Sequence, residues 1–258
     1  MGINDSEVVK KQYSTASGLS VRISIHDKYS TNKMGFGNWI FSNYSIDQGM
    51  RVLELGCGTG SMWNGHEDVI RACSELVLSD FSPAMVAAAE ETVGPYPNVS
   101  YKQIDIMDIP FPDGYFDAVI ANMMLYHVPD IGRGLAEVRR VLKPSGSFYC
   151  ATFGLHGIME YLTDLFSVYG VEDGTDTSFT LQNGAELLGS VFDSVRKEEY
   201  KDALAVTCLE DLIDYIYSLQ SMTALSSVPR EKIYELLASR MVDGVLTVPK
   251  EYGMFIAK

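Results

Sequence analysis

The sequence predicts an α/β fold: a seven-stranded, mostly parallel sheet with an antiparallel last strand, helices on both faces and a helical lid. Three observations carry that expectation. Between Met50 and Phe153, short apolar runs alternate with helical segments, as in strands joined by crossover helices. The first of these runs, Arg51–Leu55, leads directly into the alternating glycines Gly56, Gly58 and Gly60. Farther on, the strand-like runs Val195–Val206 and Thr247–Ala257 flank a mostly helical stretch, Leu209–Asp243, and are placed to pair antiparallel at one sheet edge.

Residues 1–48 form a prelude, an N-terminal helical cap, in which Gly35–Tyr44 reads as a turn and helix leading into the first strand. Leu19–Ile25 alternates as a half-buried strand would, yet Arg22, His26, Tyr29 and Lys33 share one helical face, and helix is the preferred reading. Residues 49–258 form the main domain, with strands at Arg51–Leu55, Glu75–Ser79, Val99–Gln103, Phe116–Ala121 and Ser147–Thr152. Pro83–Thr92 is a helix opened by Ser82 at the N-cap and Pro83 at the first position. Arg133–Leu142 is another, stopped by Lys143-Pro144-Ser145-Gly146. The prelude and an insertion at residues 207–245 remain once the core is assembled, and they are the expected lid.

Composition narrows the function classes. With 34 acidic against 20 basic residues the net charge is −14, a field that opposes a nucleic-acid partner. Basic residues are scattered, Lys10-Lys11 and Arg139-Arg140 being the longest runs. Cys57, Cys73, Cys150 and Cys208 contain no C-x-x-C pair, so neither a zinc site nor a disulfide framework is expected, nor any metal. A polar start without an apolar signal core, and no apolar run long enough to span a bilayer, lead to a cytoplasmic expectation without a membrane span.

The chemistry lies in Val52-Leu53-Glu54-Leu55-Gly56-Cys57-Gly58-Thr59-Gly60. Glycines there permit positive φ and let a ligand touch backbone. A dinucleotide loop would place its third glycine at Ser61, and the acidic Glu54 suits an ammonium-bearing cofactor better than a pyrophosphate. Leu76–Asp80 is a strand ending in a carboxylate twenty residues beyond Gly60, where it can accept from both ribose hydroxyls of an adenosine cofactor. Standing alone, Asp80 would read as an exposed loop residue.

Together LELGCGTG, SDFSPAMV, QIDIMDIPFPDGYFDAVIANMMLYHVPD and EVRRVLKPSGSFYCATF resemble, in order, the motifs of class I S-adenosylmethionine-dependent methyltransferases of the ubiquinone/menaquinone-biosynthesis type. The resemblance covers residues 48–155 and implies a Rossmann-like core. It implies that Gly56, Gly58 and Gly60, with Cys57 between them, approach the methionine part of S-adenosyl-L-methionine. Asp80 then holds the ribose and Phe81 packs beside the adenine, while Asp105 accepts from the adenine amino group and the Ile106 backbone meets the ring. Asn122 and Met123 line the amino-acid end and the sulfonium. Glu54 and Trp63 are further candidates, with helix packing an equal alternative for Trp63.

Methyl transfer requires alignment and exclusion of water, and a base only where the acceptor must lose a proton early. His127, His26 and Tyr29, with Tyr126, are the candidates. Packing or loop capping is an equal alternative for His127, and the preferred reading of His66 and His156. The Asn/Asp-Pro-Pro-Tyr/Phe pattern of adenine and glutamine amino-methylating enzymes is absent, the matching place reading Asn122-Met123-Met124-Leu125. A small-molecule acceptor, and no nucleic acid, is therefore the expected partner. The competing readings are a non-catalytic S-adenosylmethionine-binding module, an NAD(P)-dependent oxidoreductase and a nucleic-acid methyltransferase.

Overall fold

The computed structural model describes residues 24–172 and 174–258. Its strands form one seven-stranded sheet of order β3-β2-β1-β4-β5-β7-β6. These strands are β1 (Arg51–Leu55), β2 (Glu75–Asp80), β3 (Val99–Gln103), β4 (Phe116–Ile120), β5 (Leu142–Phe153), β6 (Val195–Val206) and β7 (Leu246–Ala257). The ladders joining β1 to β2, β1 to β4, β2 to β3 and β4 to β5 are parallel. Beside β6 and β7, Ser194 and Lys258 exchange both backbone hydrogen bonds, the mark of an antiparallel pair.

Central strands of a parallel sheet are covered on both faces and read as continuous apolar runs. Accordingly Val52, Leu53 and Leu55 of β1 and Leu76, Val77 and Leu78 of β2 are buried, whereas β3, at the edge, leaves Lys102 and Gln103 exposed. Side chains alternate between faces. Leu53, Leu55, Val77, Val119 and Phe148 pack with helices α4 (Ile131–Val141) and α6 (Gly184–Gly189), which contribute Leu135, Val138 and Leu188. Val52, Leu76, Leu78 and Ile120 pack on the other side with α1 (Phe36–Ser42), α2 (Glu67–Ala72) and α3 (Pro83–Val93), through Ile40, Phe41, Ile70 and Ala89.

Several boundaries shift for local reasons. Helix α4 begins two residues before the expected Arg133, because the Asp130 carboxylate accepts from the Arg133 N–H and caps the helix. Strand β5 starts at Leu142 rather than Ser147, the added residues pairing through an irregularity between Phe116 and Ala118. There a Cβ on Gly146 would lie 2.8 Å from Leu142 Cδ2 and 3.1 Å from the Asp117 carbonyl oxygen. Ser82 does occupy the N-cap of α3 ahead of Pro83, but its side chain makes no capping bond.

The described chain divides into two compact units. One comprises Phe36–Phe153, Ser178–Glu199 and Gly253–Lys258, and holds both clusters above. The other comprises the described residues up to Gly35, with Gly154–Thr177 and Tyr200–Tyr252. Its own core joins Ile25 and Tyr29 to α5 (Ile158–Phe166), α7 (Leu209–Ser218) and α8 (Arg230–Ala238), with Leu204, Val206 and Val248. Residues 24–29 are helical, as the shared face of His26 and Tyr29 suggested, but Lys33 lies past the helix in a turn, and Leu19 to Ile23 lie outside the described residues. Among the described residues, no helix is long and apolar enough to cross a membrane.

Candidate functional site

Strand order reverses at β1, with β2 on one side and β4 on the other, and in open α/β sheets such a switch point opens a crevice at the carboxyl ends of the strands. The loops ending β1, β2 and β4 contribute Gly56–Gly60, Asp80–Ser82 and Asn122–Met124, and Asp105 follows the neighbouring edge strand β3.

The glycine loop is anchored from below. The Cys57 N–H donates to the Ser79 carbonyl (2.8 Å), Gly60 N–H to the Cys57 carbonyl (2.9 Å), and Ser79 Oγ to the Glu54 carbonyl (2.6 Å). All three glycines have positive φ, but for different reasons. A Cβ on Gly56 would meet Met124 Cγ at 2.8 Å, and one on Gly60 would meet Val93 Cγ2 at 2.9 Å. On Gly58 (φ 55°) it would meet nothing within 4 Å. Protein atoms thus require the outer glycines, and the middle one borders open space that a ligand can fill. Cys57 is buried, and burial pushes its thiol far above the usual range, so it is no nucleophile.

Asp80 ties this loop to the next. Its Oδ2 accepts from Gly58 N–H (3.0 Å) and its Oδ1 from Ser82 N–H (2.8 Å), and the carboxylate keeps accepting capacity for a further donor. Burial raises its pKa, against the three backbone N–H groups that lower it. Beside it, Phe81 is 43% exposed, a large apolar ring left uncovered by the protein, and its carbonyl accepts from Gln103 Nε2 (3.1 Å). After β3, Asp105 Oδ1 accepts from Met107 N–H (2.8 Å) in a tight turn closed by the Asp108 N–H bond to the Asp105 carbonyl (2.9 Å). Ile106 is buried in the core.

Glu54 is 2% exposed and accepts from Trp63 Nε1 at 2.7 Å. Burial lifts its pKa to about 7, against the Trp63 bond. Trp63 is buried edge-on against Phe41, so it packs a helix and also orients the acid. Past β4, Asn122 Oδ1 accepts from Ala151 N–H (3.1 Å) and Nδ2 donates to the Tyr44 hydroxyl (2.6 Å). Met123 holds φ at 53°, a conformation uncommon for a side chain of this kind, with its N–H on the Ala151 carbonyl (2.8 Å). His127 closes the short turn that follows, its ring edge-on to Tyr126. His66 stacks on Phe41 at 3.5 Å, and the exposed His156 faces Glu160.

His26 and Tyr29 belong to the other unit. There the His26 ring lies edge-on to Tyr215 and Tyr252, and its Nδ1 is buried without a hydrogen-bond partner among the described residues. Burial, and then the Lys250 charge, lower its pKa to about 4 despite Asp202, so the ring is neutral near pH 7. The Tyr29 hydroxyl donates to Asp211, which Lys28 also engages. Tyr44 and Met124 had no local signal in the sequence, for each acquires its place through a partner many residues away.

Residues 53–150 match the family model described as a methyltransferase domain. The ubiquinone/menaquinone biosynthesis C-methyltransferase UbiE of Proteus mirabilis is 27% identical over 192 residues, covering 70% of this chain and 76% of its own. The UbiE of Escherichia coli O1:K1 is 26% identical over 234 residues, covering 85% and 92%. Among solved structures, phosphoethanolamine N-methyltransferase 2 of Haemonchus contortus in complex with S-adenosyl-L-methionine superposes with a TM-score of 0.61 at 18% identity, covering 97% of this chain and 59% of that one. YcgJ of Bacillus subtilis gives 0.56 at 17% identity, covering 85% and 95%. At such identities these two structures speak for the fold.

Proposed function

We propose that the chain, which matches a methyltransferase domain over residues 53–150, is a class I S-adenosylmethionine-dependent methyltransferase in which the ends of β1 to β4 hold the cofactor and present it to a small-molecule acceptor for in-line transfer. The single observation carrying this reading is the open space before Gly58, bordered by a carboxylate that already grips the Gly58 N–H. Asp80 takes the ribose hydroxyls, Phe81 covers the adenine, and Asp105 with the Ile106 backbone meets the base edge. Glu54 suits the ammonium group, and Asn122 and Met123 border the sulfonium. When bound, the cofactor supplies an electrophilic methyl group on a positive sulfur. The protein's part is to align and to exclude water, which rigid loops do well. His127 is our candidate for a proton released by the acceptor. His26 and Tyr29 carry no role in this reading.

A small acceptor is supported by the net charge of −14, which opposes nucleic acid, and by Asn122-Met123-Met124-Leu125 in place of the amino-methylating motif. The two UbiE relatives are named as ubiquinone/menaquinone biosynthesis C-methyltransferases, which supports an acceptor of that size class.

Asp80→Ala tests the cradle. Losing a charge-assisted pair to the ribose costs about 1.5–3 kcal/mol, so the affinity for S-adenosylhomocysteine should fall by about tenfold or more in calorimetric titration. An unchanged affinity overturns the assignment.

A further inference from the structure

The direction of one hydrogen bond identifies a donor that the protein itself does not use. The Ala151 N–H can only donate, so the Asn122 side-chain atom it meets at 3.1 Å is the carbonyl oxygen. The other end of that amide, 2.6 Å from the Tyr44 hydroxyl, is therefore the NH2 group. It follows that the Tyr44 oxygen accepts in this contact, and its own hydrogen points elsewhere. Among the described residues none accepts it.

The phenol is rigidly held. Its ring packs against Phe41 at 5.2 Å and edge-on against Tyr149 at 5.0 Å, and the Tyr44 N–H closes the end of α1 on the Phe41 carbonyl. The proton is also retained: burial, and then the charge of Glu54, hold the pKa well above 10. The hydroxyl is thus a fixed neutral donor that feels the Glu54 charge and binds the residue just past β4. The ring is half-buried, and a fixed donor that the protein leaves unused at the end of β4 suits an anionic or strongly accepting oxygen on the ligand.

We infer that Tyr44 donates to the α-carboxylate of the cofactor's amino-acid part, while Glu54 takes the ammonium group on the same carbon. This rests on the cofactor reading above. Tyr44 is then a specificity-determining residue, which makes the site discriminate between ligands that carry the amino-acid part and truncated nucleosides that lack it.

The test compares S-adenosylhomocysteine with 5′-methylthioadenosine, which shares the adenosine and thioether but has no carboxylate or ammonium group. Tyr44→Phe keeps the ring against Phe41 and Tyr149, and a thermal melt checks that the fold is retained. In calorimetric titration the variant should bind S-adenosylhomocysteine about tenfold or more weakly, with its affinity for 5′-methylthioadenosine unchanged. Equal weakening of both ligands would show that Tyr44 acts only through Asn122 and the fold, and overturns the inference. No weakening of either overturns it as well. A wild-type protein that binds neither ligand overturns the cofactor reading and the inference with it.

Discussion

Gly58→Val should abolish binding of S-adenosylhomocysteine while the protein still melts cooperatively. At φ 55° the backbone is in the left-handed region, where a residue bearing a Cβ costs about 1–2 kcal/mol, a tolerable fraction of the stability of a domain. No protein atom lies within 4 Å of the added Cβ itself, so the first carbon meets no clash. The two Cγ methyls instead occupy the space assigned to the ligand. Gly56→Ala and Gly60→Ala provide the contrast, since their Cβ atoms would come within 2.8 Å of Met124 and 2.9 Å of Val93, so their first effect should be on stability. Normal binding by the folded Gly58→Val protein would show that the loop does not cradle the ligand.

The other large effect lies in the second unit. Lys250 and Asp202 form an ion pair whose side chains are 3% and 0% exposed. Lys250 also donates to Ser30 Oγ at 2.9 Å, and Asp202 accepts from Asn32 N–H, Ala203 N–H and the Thr31 hydroxyl. Burial pushes the Asp202 pKa up, but the Lys250 bond, then the Asn32 N–H and the Ser30 hydroxyl, outweigh it and bring it to about 2. Removing one partner of such a pair strands a buried charge at a cost of about 3–5 kcal/mol, whereas replacing both costs much less. Lys250→Met should therefore lower the denaturant midpoint strongly, and Lys250→Met with Asp202→Leu should recover much of the loss. Equal losses in the single and double variants would mean that the partner charge is not what Lys250 compensates.

How far the sequence reaches differs by residue. The limits of β1 and β6 were readable to the residue, because burial on both faces or alternation at an edge is written into consecutive side chains. The Gly58–Asp80 relation was readable in outline, since a glycine loop after one strand and an acid after the next are fixed by the order of the sheet. What Gly56 and Gly60 do was not, for their need to be glycine comes from Met124 and from Val93, on other elements. The bond from Asn122 to Tyr44 spans 78 residues and depends on which end of an amide Ala151 captures, information that no local pattern carries. Met123 gave no sign of a positive φ, a conformation imposed by its surroundings and not by its residue type.

In the proposed function this cradle delivers a methyl group to a small molecule. Its most direct test is incubation of the wild-type protein with methyl-labelled S-adenosylmethionine and a cell extract separated into small-molecule, protein and nucleic-acid fractions, with Gly58→Val as the control. Label should appear in the small-molecule fraction and disappear with the variant. Label confined to protein or nucleic acid, or transfer that survives Gly58→Val, would contradict it.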